Sequence, residues 1–108
     1  MTSKTVLPDP PYYAVIFTST RTEVDQGYDQ MAQKMEDLAR EQPGFLGLEA
    51  ARGADAFGVT ISYWTDEASI AAWKSEADHQ IAQKYGRDRW YSDYVTRVAR
   101  VDRQYAWP

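Results

Sequence analysis

The chain has 108 residues, 44% of them hydrophobic and 26% charged, which predicts one globular domain with a single core. The absence of cysteine excludes disulfides, thiolate metal sites and thiol catalysis, and a single histidine argues against a structural zinc site. A net charge of −4 without a basic stripe argues against a nucleic-acid partner, and the lack of a bilayer-spanning run or signal-peptide core favours a cytoplasmic protein without a membrane partner.

The N-terminal part of the chain predicts an extended lead-in, a strand and a long helix. Residues 1–10 end in prolines and should be extended, and an aromatic and β-branched strand begins at Tyr12 and reaches toward Thr20. Thr22 fits an N-cap because an acidic residue lies three positions on, so a first helix is expected over about residues 23–42. The apolar stripe of that helix consists of Tyr28, Met31, Met35 and Leu38.

A β-hairpin is predicted in the middle of the chain. Pro43 and Gly44 end the first helix, and two strands over residues 45–51 and 57–64 flank a loop over residues 52–56. In the second strand, the large apolar side chains are expected to contact the helices: Phe57, Val59, Ile61 and Tyr63. The alternate positions are small or polar up to an aromatic end, which suits the wall of a cavity: Gly58, Thr60, Ser62 and Trp64.

A second helix follows the hairpin. Thr65 and Asp66 fit its N-terminal cap, and alanines let the helix lie close to the sheet. Charged and small residues over 75–78 predict a break before a second helical piece, His79–Tyr85. Gly86 then fits the position just past the end of that piece.

The last strand completes a known arrangement of elements. It spans roughly residues 91–101, and residues 105–108 form a short tail. The order βαββαβ predicts a ferredoxin-like α+β domain over residues 11–104, with a four-stranded antiparallel sheet and both helices on one face. The two faces of the last strand are expected to carry Val95, Ala99 and Val101 on one side and Tyr94, Thr96 and Val98 on the other.

The face of the sheet that the helices leave open is expected to be an interface. Strands one, two and four carry apolar side chains on both faces, and monomers seldom expose a large contiguous apolar patch. A two-fold dimer that packs sheet on sheet would cover this face, so a homodimer is predicted. Trp90 and Tyr91, at the start of the last strand, are expected to pack across the dimer rather than close a pocket.

Four short segments of the chain form a recognisable set: Pro43-Gly-Phe45, Ser62-Tyr-Trp64, Thr65-Asp-Glu-Ala68 and Trp73. Together they resemble the antibiotic biosynthesis monooxygenase domain, a family of dimeric α/β barrels, over about residues 11–104. The resemblance implies a pocket in each subunit, between the open sheet face and the helices, for a small planar aromatic or polycyclic substrate. Some members oxidise phenolic substrates with dioxygen and without metal or flavin, so the resemblance implies a monooxygenase that needs no cofactor.

Two residues are candidates for catalysis. Trp73 matches the tryptophan on the second helix of the family, and it can stack on a flat ligand or serve as ordinary core. His79 is the one side chain whose unperturbed pKa lies near neutrality, so it is a candidate base for a phenolic proton. The alternative for His79 is a partly exposed helix residue that is hydrogen-bonded to solvent.

Five further residues are candidates for substrate binding. An aromatic pocket is expected to be lined by Tyr63, Trp64, Tyr85 and Tyr94. Arg97 lies in mid-strand, where a charge needs a partner or a water-filled cavity. It is therefore a candidate to hold an anionic group of the substrate, and the alternative is an ion pair with an acid such as Glu49.

The resemblance leaves two alternative functions open. The haem-degrading members use an Asn-Trp-His set in which histidine ligates the iron, so the resemblance also implies haem as an alternative cofactor, held by His79 and Trp73. The chain contains no asparagine, which points to a further alternative. In that case the chain is a dimeric protein that binds a small ligand and has kept the scaffold without the chemistry.

Overall fold

The computed structural model describes residues 4–84 and 89–108, and of residues 80–84 it describes the backbone. The four strands form one antiparallel sheet in the order β2-β3-β1-β4, which confirms the predicted ferredoxin-like α+β fold. In chain order the elements are β1 (Tyr12–Arg21), α1 (Tyr28–Glu41), β2 (Phe45–Arg52), β3 (Phe57–Trp64), α2 (Glu67–Lys84) and β4 (Tyr91–Val101). Within the described residues, no helix has the length and apolar character that crossing a membrane requires.

The core lies between the sheet and the two helices. Its buried members come from four different elements, and they are Val15, Ala39, Trp64 and Ile70. Tyr13, Phe45 and Trp73 pack against them. The indole of Trp64 is 0% exposed, and its Nε1 donates to Ser62 Oγ at 2.9 Å, so this large side chain is buried without an unpaired polar atom.

The core fixes which face of β3 meets the helices. Tyr13 pairs with Trp64 and Val15 with Ser62, so the face shared with the core carries Gly58, Thr60, Ser62 and Trp64. The prediction that Phe57, Val59, Ile61 and Tyr63 contact the helices is therefore wrong. Both faces of this sheet are apolar, and the buried indole at the strand end decides the orientation against the more hydrophobic set. We call the other face of the sheet the open face.

The first helix begins later than predicted. α1 starts at Tyr28 after Gly27, whose φ is 82°, and the Thr22 hydroxyl makes no bond to the helix. Thr22 Oγ1 instead accepts from the N–H of Val24 at 3.2 Å and donates to the carbonyl of Arg89 at 2.9 Å. The Thr22 hydroxyl thus ties a turn to the start of β4, which leaves the helix to begin from a left-handed glycine.

The second helix confirms one predicted cap and contradicts the predicted break. Asp66 Oδ1 accepts from the N–H of Ser69 at 2.8 Å, which is the geometry of an N-cap. α2 then runs without interruption to Lys84. Lys74 and Asp78, four positions apart, form an ion pair at 2.7 Å across the expected break. Gly86, predicted to end the helix, lies outside the described residues.

The last strand agrees with its predicted bounds and faces. Val95, Ala99 and Val101 pair with Thr18, Ala14 and Tyr12 of β1, on the open face. Tyr94, Thr96 and Val98 pair with Ser19, Phe17 and Val15, on the face that carries the helices. Trp90, just before the strand, is 0% exposed within one chain, and its Nε1 donates to the carbonyl of Gln26 at 3.0 Å. The expectation that Trp90 packs across a dimer is therefore wrong.

Two positions with positive φ give opposite predictions for stability. Gly44 has φ 87°, and a Cβ there would lie 2.2 Å from Ser69 Oγ, so Gly44→Ala should lower the free energy of unfolding by about 2 kcal/mol. Ala56 has φ 71° with a methyl group already present, so Ala56→Gly should raise it by about 0.5 kcal/mol. Urea denaturation of both variants tests the pair. A loss of stability in Ala56→Gly would contradict this account of the turn.

Candidate functional site

Two of the predicted site residues belong to the core. The rings of Trp64 and Trp73 lie 5.3 Å apart at an interplanar angle of 35°, and Phe45 packs edge-on against Trp64 at 5.4 Å. Trp73 is half-buried, and within the described part of the chain its buried Nε1 has no hydrogen-bond partner. Both indoles are thus packed between helix and sheet, at the end of the sheet where α2 begins.

Two further predicted residues lie on the open face. Tyr63 Oη donates to Glu49 Oε1 at 2.6 Å, and Arg97 pairs with Ile16 in the register of β1 and β4. Arg97 Nη1 reaches Thr18 Oγ1 at 3.5 Å, which is a long contact between exposed groups. The structure therefore does not bring Tyr63 and Arg97 together with the two core tryptophans. The alternative considered for Arg97, an ion pair with an acid such as Glu49, is not formed with Glu49 either.

His79 lies on the outer side of α2. Ile70 and Ala77 are buried and Trp73 is half-buried, so these residues mark the side of the helix that faces the sheet. His79 follows Ile70 by nine residues, and each residue turns an α-helix by 100°, so His79 points to the opposite side of the helix from Ile70. His79 is exposed. The structure directs this imidazole away from the interior that the catalytic hypothesis requires. Tyr85, another predicted site residue, lies outside the described residues.

An open groove of about 350 Å³ lies at the other end of the sheet, and its lining residues are Tyr28, Ala50, Ala51, Arg52 and Thr60. Three of these residues, Ala50, Ala51 and Arg52, are exposed, so the groove faces solvent. We call this groove the hairpin-end pocket. Ala50 pairs with Thr60 and Arg52 with Gly58 on the helix side of the sheet, whereas Ala51 pairs with Val59 on the open face, so the pocket lies at the β2 edge of the sheet. Tyr28, the first residue of α1, also lines the pocket. Of the four residues of β3 predicted to form the wall of a cavity, Thr60 lines this pocket, whereas Ser62 and Trp64 are buried in the core.

Arg52 is fixed in place by neutral oxygen atoms. Its Nη2 donates to Ser19 Oγ at 2.8 Å, and its Nη1 donates to the carbonyl of Ser19 at 3.3 Å and to the carbonyl of Ala56. The guanidinium lies over Gly58, where an added Cβ would meet Cζ at 2.7 Å and Nε at 2.9 Å. Gly58 therefore leaves the space that the guanidinium occupies, and 1%-exposed Ser19 anchors it to β1.

Aromatic side chains continue from the pocket along the sheet. Tyr28 Oη lies 3.5 Å from Tyr91 Oη, and the guanidinium of Arg21 lies 3.4 Å above the Tyr28 ring. Tyr91 packs edge-on against Phe17 at 5.3 Å, and Phe17 lies 5.4 Å from Tyr94. Burial and the neighbouring Tyr28 hydroxyl raise the pKa of Tyr91 above its ordinary value. Tyr91 therefore stays protonated at neutral pH and keeps its hydroxyl as a hydrogen-bond donor.

This arrangement can hold a small flat molecule beside a fixed positive charge. Tyr28 and the alanines offer aromatic and apolar surface, and Arg52 and Thr60 offer polar groups. The described residues contain no group of three or more His, Asp or Glu side chains that are placed to hold a metal ion.

A family model described as antibiotic biosynthesis monooxygenase matches residues 11–85. The chain belongs to this family. It is 52% identical over 97 residues to the uncharacterized protein YqjZ of Bacillus subtilis, across 90% of this chain and 85% of that protein. It is 42% identical over 93 residues to the jasmonate monooxygenase ABM of Pyricularia oryzae, across 82% of this chain. The match covers 43% of that relative, so the chain spans less than half of its length.

Solved structures show the same fold at low sequence identity. SnoaB, a cofactor-independent oxygenase from Streptomyces nogalater, superposes with a TM-score of 0.63 at 12% identity, over 92% of this chain and 99% of that chain. A conserved protein from Methanosarcina mazei superposes with a TM-score of 0.67 at 11% identity, over 87% of this chain and 94% of that chain. At these identities the likeness shows the fold alone.

Two residues of the pocket, Tyr28 and Arg52, are not among the predicted site residues. Tyr28 fits the apolar stripe of the predicted first helix and Arg52 fits the predicted hairpin loop, so each has an ordinary structural role in the sequence. The sequence of β3 does contain a signal for Arg52. Large and small side chains alternate along this strand, and the small ones, Gly58 and Thr60, leave unfilled space on one face. The residue opposite a strand glycine is a candidate to fill that space, and in this hairpin that residue is Arg52.

The open-face pair of Tyr63 and Glu49 gives a prediction that depends on pH. The hydroxyl of Tyr63 and then the N–H of Thr5 hold the pKa of Glu49 below its usual value near 4.5. The stabilisation is therefore present above that value and is lost as pH falls through the lowered pKa of the folded state. We expect Tyr63→Phe to lose about 1 kcal/mol of unfolding free energy at pH 7, a figure already reduced because Glu49 is only partly buried, and to lose less at pH 3.

Thermal unfolding at the two pH values measures this difference, and Tyr105→Phe is the matched control because Tyr105 is 87% exposed. An equal loss at pH 7 and pH 3 in Tyr63→Phe would show that ring packing, rather than the charged hydrogen bond, is responsible.

Proposed function

We propose that this chain is a monooxygenase that oxidises a small aromatic or polycyclic compound with dioxygen, without metal or flavin, in the hairpin-end pocket. The observation that carries the proposal is the pocket itself, an open groove of about 350 Å³ that Tyr28, Arg52 and Thr60 help to line. Membership of the monooxygenase family and the monooxygenase name of the Pyricularia oryzae relative support the reaction class. SnoaB, which shares this fold, is described as a cofactor-independent oxygenase, and we propose the same class of chemistry for this chain.

The reaction fits a phenolic substrate that is itself the reductant. A carbanion formed next to a phenolate can reduce dioxygen and add it, and loss of water from the resulting peroxide turns a CH₂ group into a ketone. Both oxygen atoms are accounted for, one in the ketone and one in water. In this scheme the hydroxyl of Tyr28, which accepts from Tyr91 Oη, donates to the developing oxyanion, and Arg52 supplies positive charge nearby.

An oxygen electrode with anthrone-type phenols tests the proposal. We expect oxygen uptake by the wild type and a fall of about tenfold or more in kcat/KM for Tyr28→Phe, because one hydrogen-bond donor to the oxyanion is lost. Tyr105→Phe, in the exposed tail, is the matched control and should keep full activity. No uptake with any such phenol would contradict the proposal. Binding of the phenols without uptake would favour the alternative of a small-ligand-binding protein.

We propose that haem takes no part in the reaction. The ligand set expected for haem does not fit this chain, because His79 lies on the exposed side of α2 and the chain has no asparagine. Titration with haemin should therefore leave the Soret band as in free haemin, for the wild type and for His79→Ala alike. A shifted band that disappears in His79→Ala would overturn this proposal.

We also propose that the chain is a homodimer that covers the open face. This face carries exposed or half-buried apolar side chains from three strands, including Phe57, Ile61 and Val95. A face of this kind is unfavourable in water as a contiguous patch, and a second copy is the simplest cover. Tyr12, also on this face, bonds through Oη to Gln104 at 2.6 Å, which brings the tail to its edge.

Sedimentation at micromolar concentration measures this association. The wild type should sediment as a dimer, and Val95→Asp should shift it toward single chains by burying a charge in the interface. Val24→Asp is the matched control, since Val24 is 40% exposed in the loop before α1. Single chains in the wild type would exclude the dimer.

A further inference from the structure

We propose that the substrate carries a carboxylate, and that Arg52 binds this group at the hairpin end of the pocket. The inference deepens the proposed function, since it rests on the same pocket, and it names the chemical class of the ligand. It starts from the charge of Arg52, which is fixed in the pocket wall before any ligand is present.

The charge of Arg52 is not neutralised by the protein. The ion pairs of the described residues include Arg21–Asp25, Arg40–Glu36, Lys74–Asp78 and Arg100–Asp102. Arg52 is in none of them, and its bonds go to the neutral oxygens of Ser19 and Ala56. The acid of the same hairpin, Asp55, accepts from the N–H of Phe57 at 3.2 Å. A guanidinium next to a pocket without a carboxylate partner favours an anionic ligand.

The hydrogen-bonding capacity of Arg52 is also incomplete. A guanidinium has five N–H donors, and three hydrogen bonds account for both donors of Nη1 and one of Nη2. Within the described residues, Nε and the second N–H of Nη2 have no acceptor in the protein. These two nitrogens lie on neighbouring positions of the planar group, which is the spacing that a carboxylate accepts with its two oxygens.

The rest of the pocket limits the ligand to a small monoanion with a ring. A groove of about 350 Å³ lies at the lower end of the range for small-molecule sites. The Tyr28 ring and two alanines give flat and apolar surface for the body of the ligand. Arg21, the other cation nearby, stacks on Tyr28 and pairs with Asp25 at 2.9 Å. One unpaired guanidinium thus favours a carboxylate over a doubly charged phosphate.

Binding of matched naphthalene compounds tests the proposal by calorimetry or tyrosine fluorescence. We expect 2-naphthoic acid to bind at least tenfold more tightly than its methyl ester, and Arg52→Gln to remove this preference. Arg40→Gln is the matched control, because Arg40 is an exposed arginine on α1, and it should keep the preference. Equal affinity for acid and ester in the wild type, or an unchanged preference in Arg52→Gln, would overturn the proposal. Tighter binding of naphthyl phosphate than of the acid would overturn the assignment to a carboxylate.

A second pair of variants keeps the test decisive if Arg52→Gln fails to fold. Arg52→Lys keeps the positive charge and loses the planar fork, so we expect the preference for the acid to fall severalfold without vanishing. Gly58→Ala keeps Arg52 and places a methyl group where the guanidinium lies, so the same fall is expected there. Folded variants of both kinds with the full wild-type preference would overturn the role of the guanidinium.

The readout separates this inference from the proposed reaction. If the protein prefers the acid but takes up no oxygen with any phenol, the carboxylate-binding role of Arg52 is supported and the monooxygenase proposal is contradicted. If the protein takes up oxygen with neutral phenols but binds acid and ester equally, the monooxygenase proposal is supported and the carboxylate-binding role of Arg52 is contradicted.

Discussion

The burial of Trp64 between the sheet and both helices orders the rest of the molecule. Its indole is 0% exposed and contacts Phe45 and Trp73, and it shares the core with Val15, Ala39 and Ile70. A tryptophan buried this fully contributes about 3–5 kcal/mol to stability. It fixes the orientation of β3, and through the antiparallel register it also fixes which residues of β1 and β2 face the helices.

The same orientation leaves space at the far end of the sheet. Moving along β3 from Trp64, the side chains on the helix face shrink to Ser62, Thr60 and Gly58. On this face of β3, the large Trp64 fills the space between sheet and helices at one end of the strand. The small side chains at the other end leave space unfilled. Arg52 and Tyr28 border this end, where the hairpin-end pocket lies. Core packing and pocket formation are therefore consequences of one alternation along one strand.

The sequence predicts the elements of this fold well because their signals are local. The caps, the proline-glycine stop and the period-2 strands each depend on a few neighbouring residues, and they give the order βαββαβ without long-range information. The face of β3 was not predictable from hydrophobicity, since Ile61 and Val59 are more apolar than Ser62 and Thr60. The pairing of Tyr13 with Trp64 decides it, and that contact spans 51 positions of the chain.

The candidate site was harder to predict for a related reason. The direction of Arg97 depends on the strand register, and an error of one residue in that register moves its side chain to the other face of the sheet. The direction of His79 depends on where α2 starts, and an error of two residues there moves its side chain to the other side of the helix. Arg52 becomes a site residue through Ser19, which lies 33 positions away in the chain. From residue type alone, His79 and Trp73 are the best candidates for the site. The geometry of the fold instead favours Arg52, which the sequence places in a hairpin loop.

The turn that holds Arg52 links the stability of the hairpin to the chemistry of the pocket. Ala56 adopts φ 71°, which is unfavourable for a residue with a Cβ, and its carbonyl accepts both the backbone N–H of Arg21 at 3.0 Å and the side chain of Arg52. A methyl group narrows the range of this dihedral, so the carbonyl keeps its direction, whereas glycine would relieve the strain and widen that range. The Ala56 carbonyl is thus one of the acceptors that hold the Arg52 guanidinium beside the pocket. A chain selected for stability alone would favour glycine at this position.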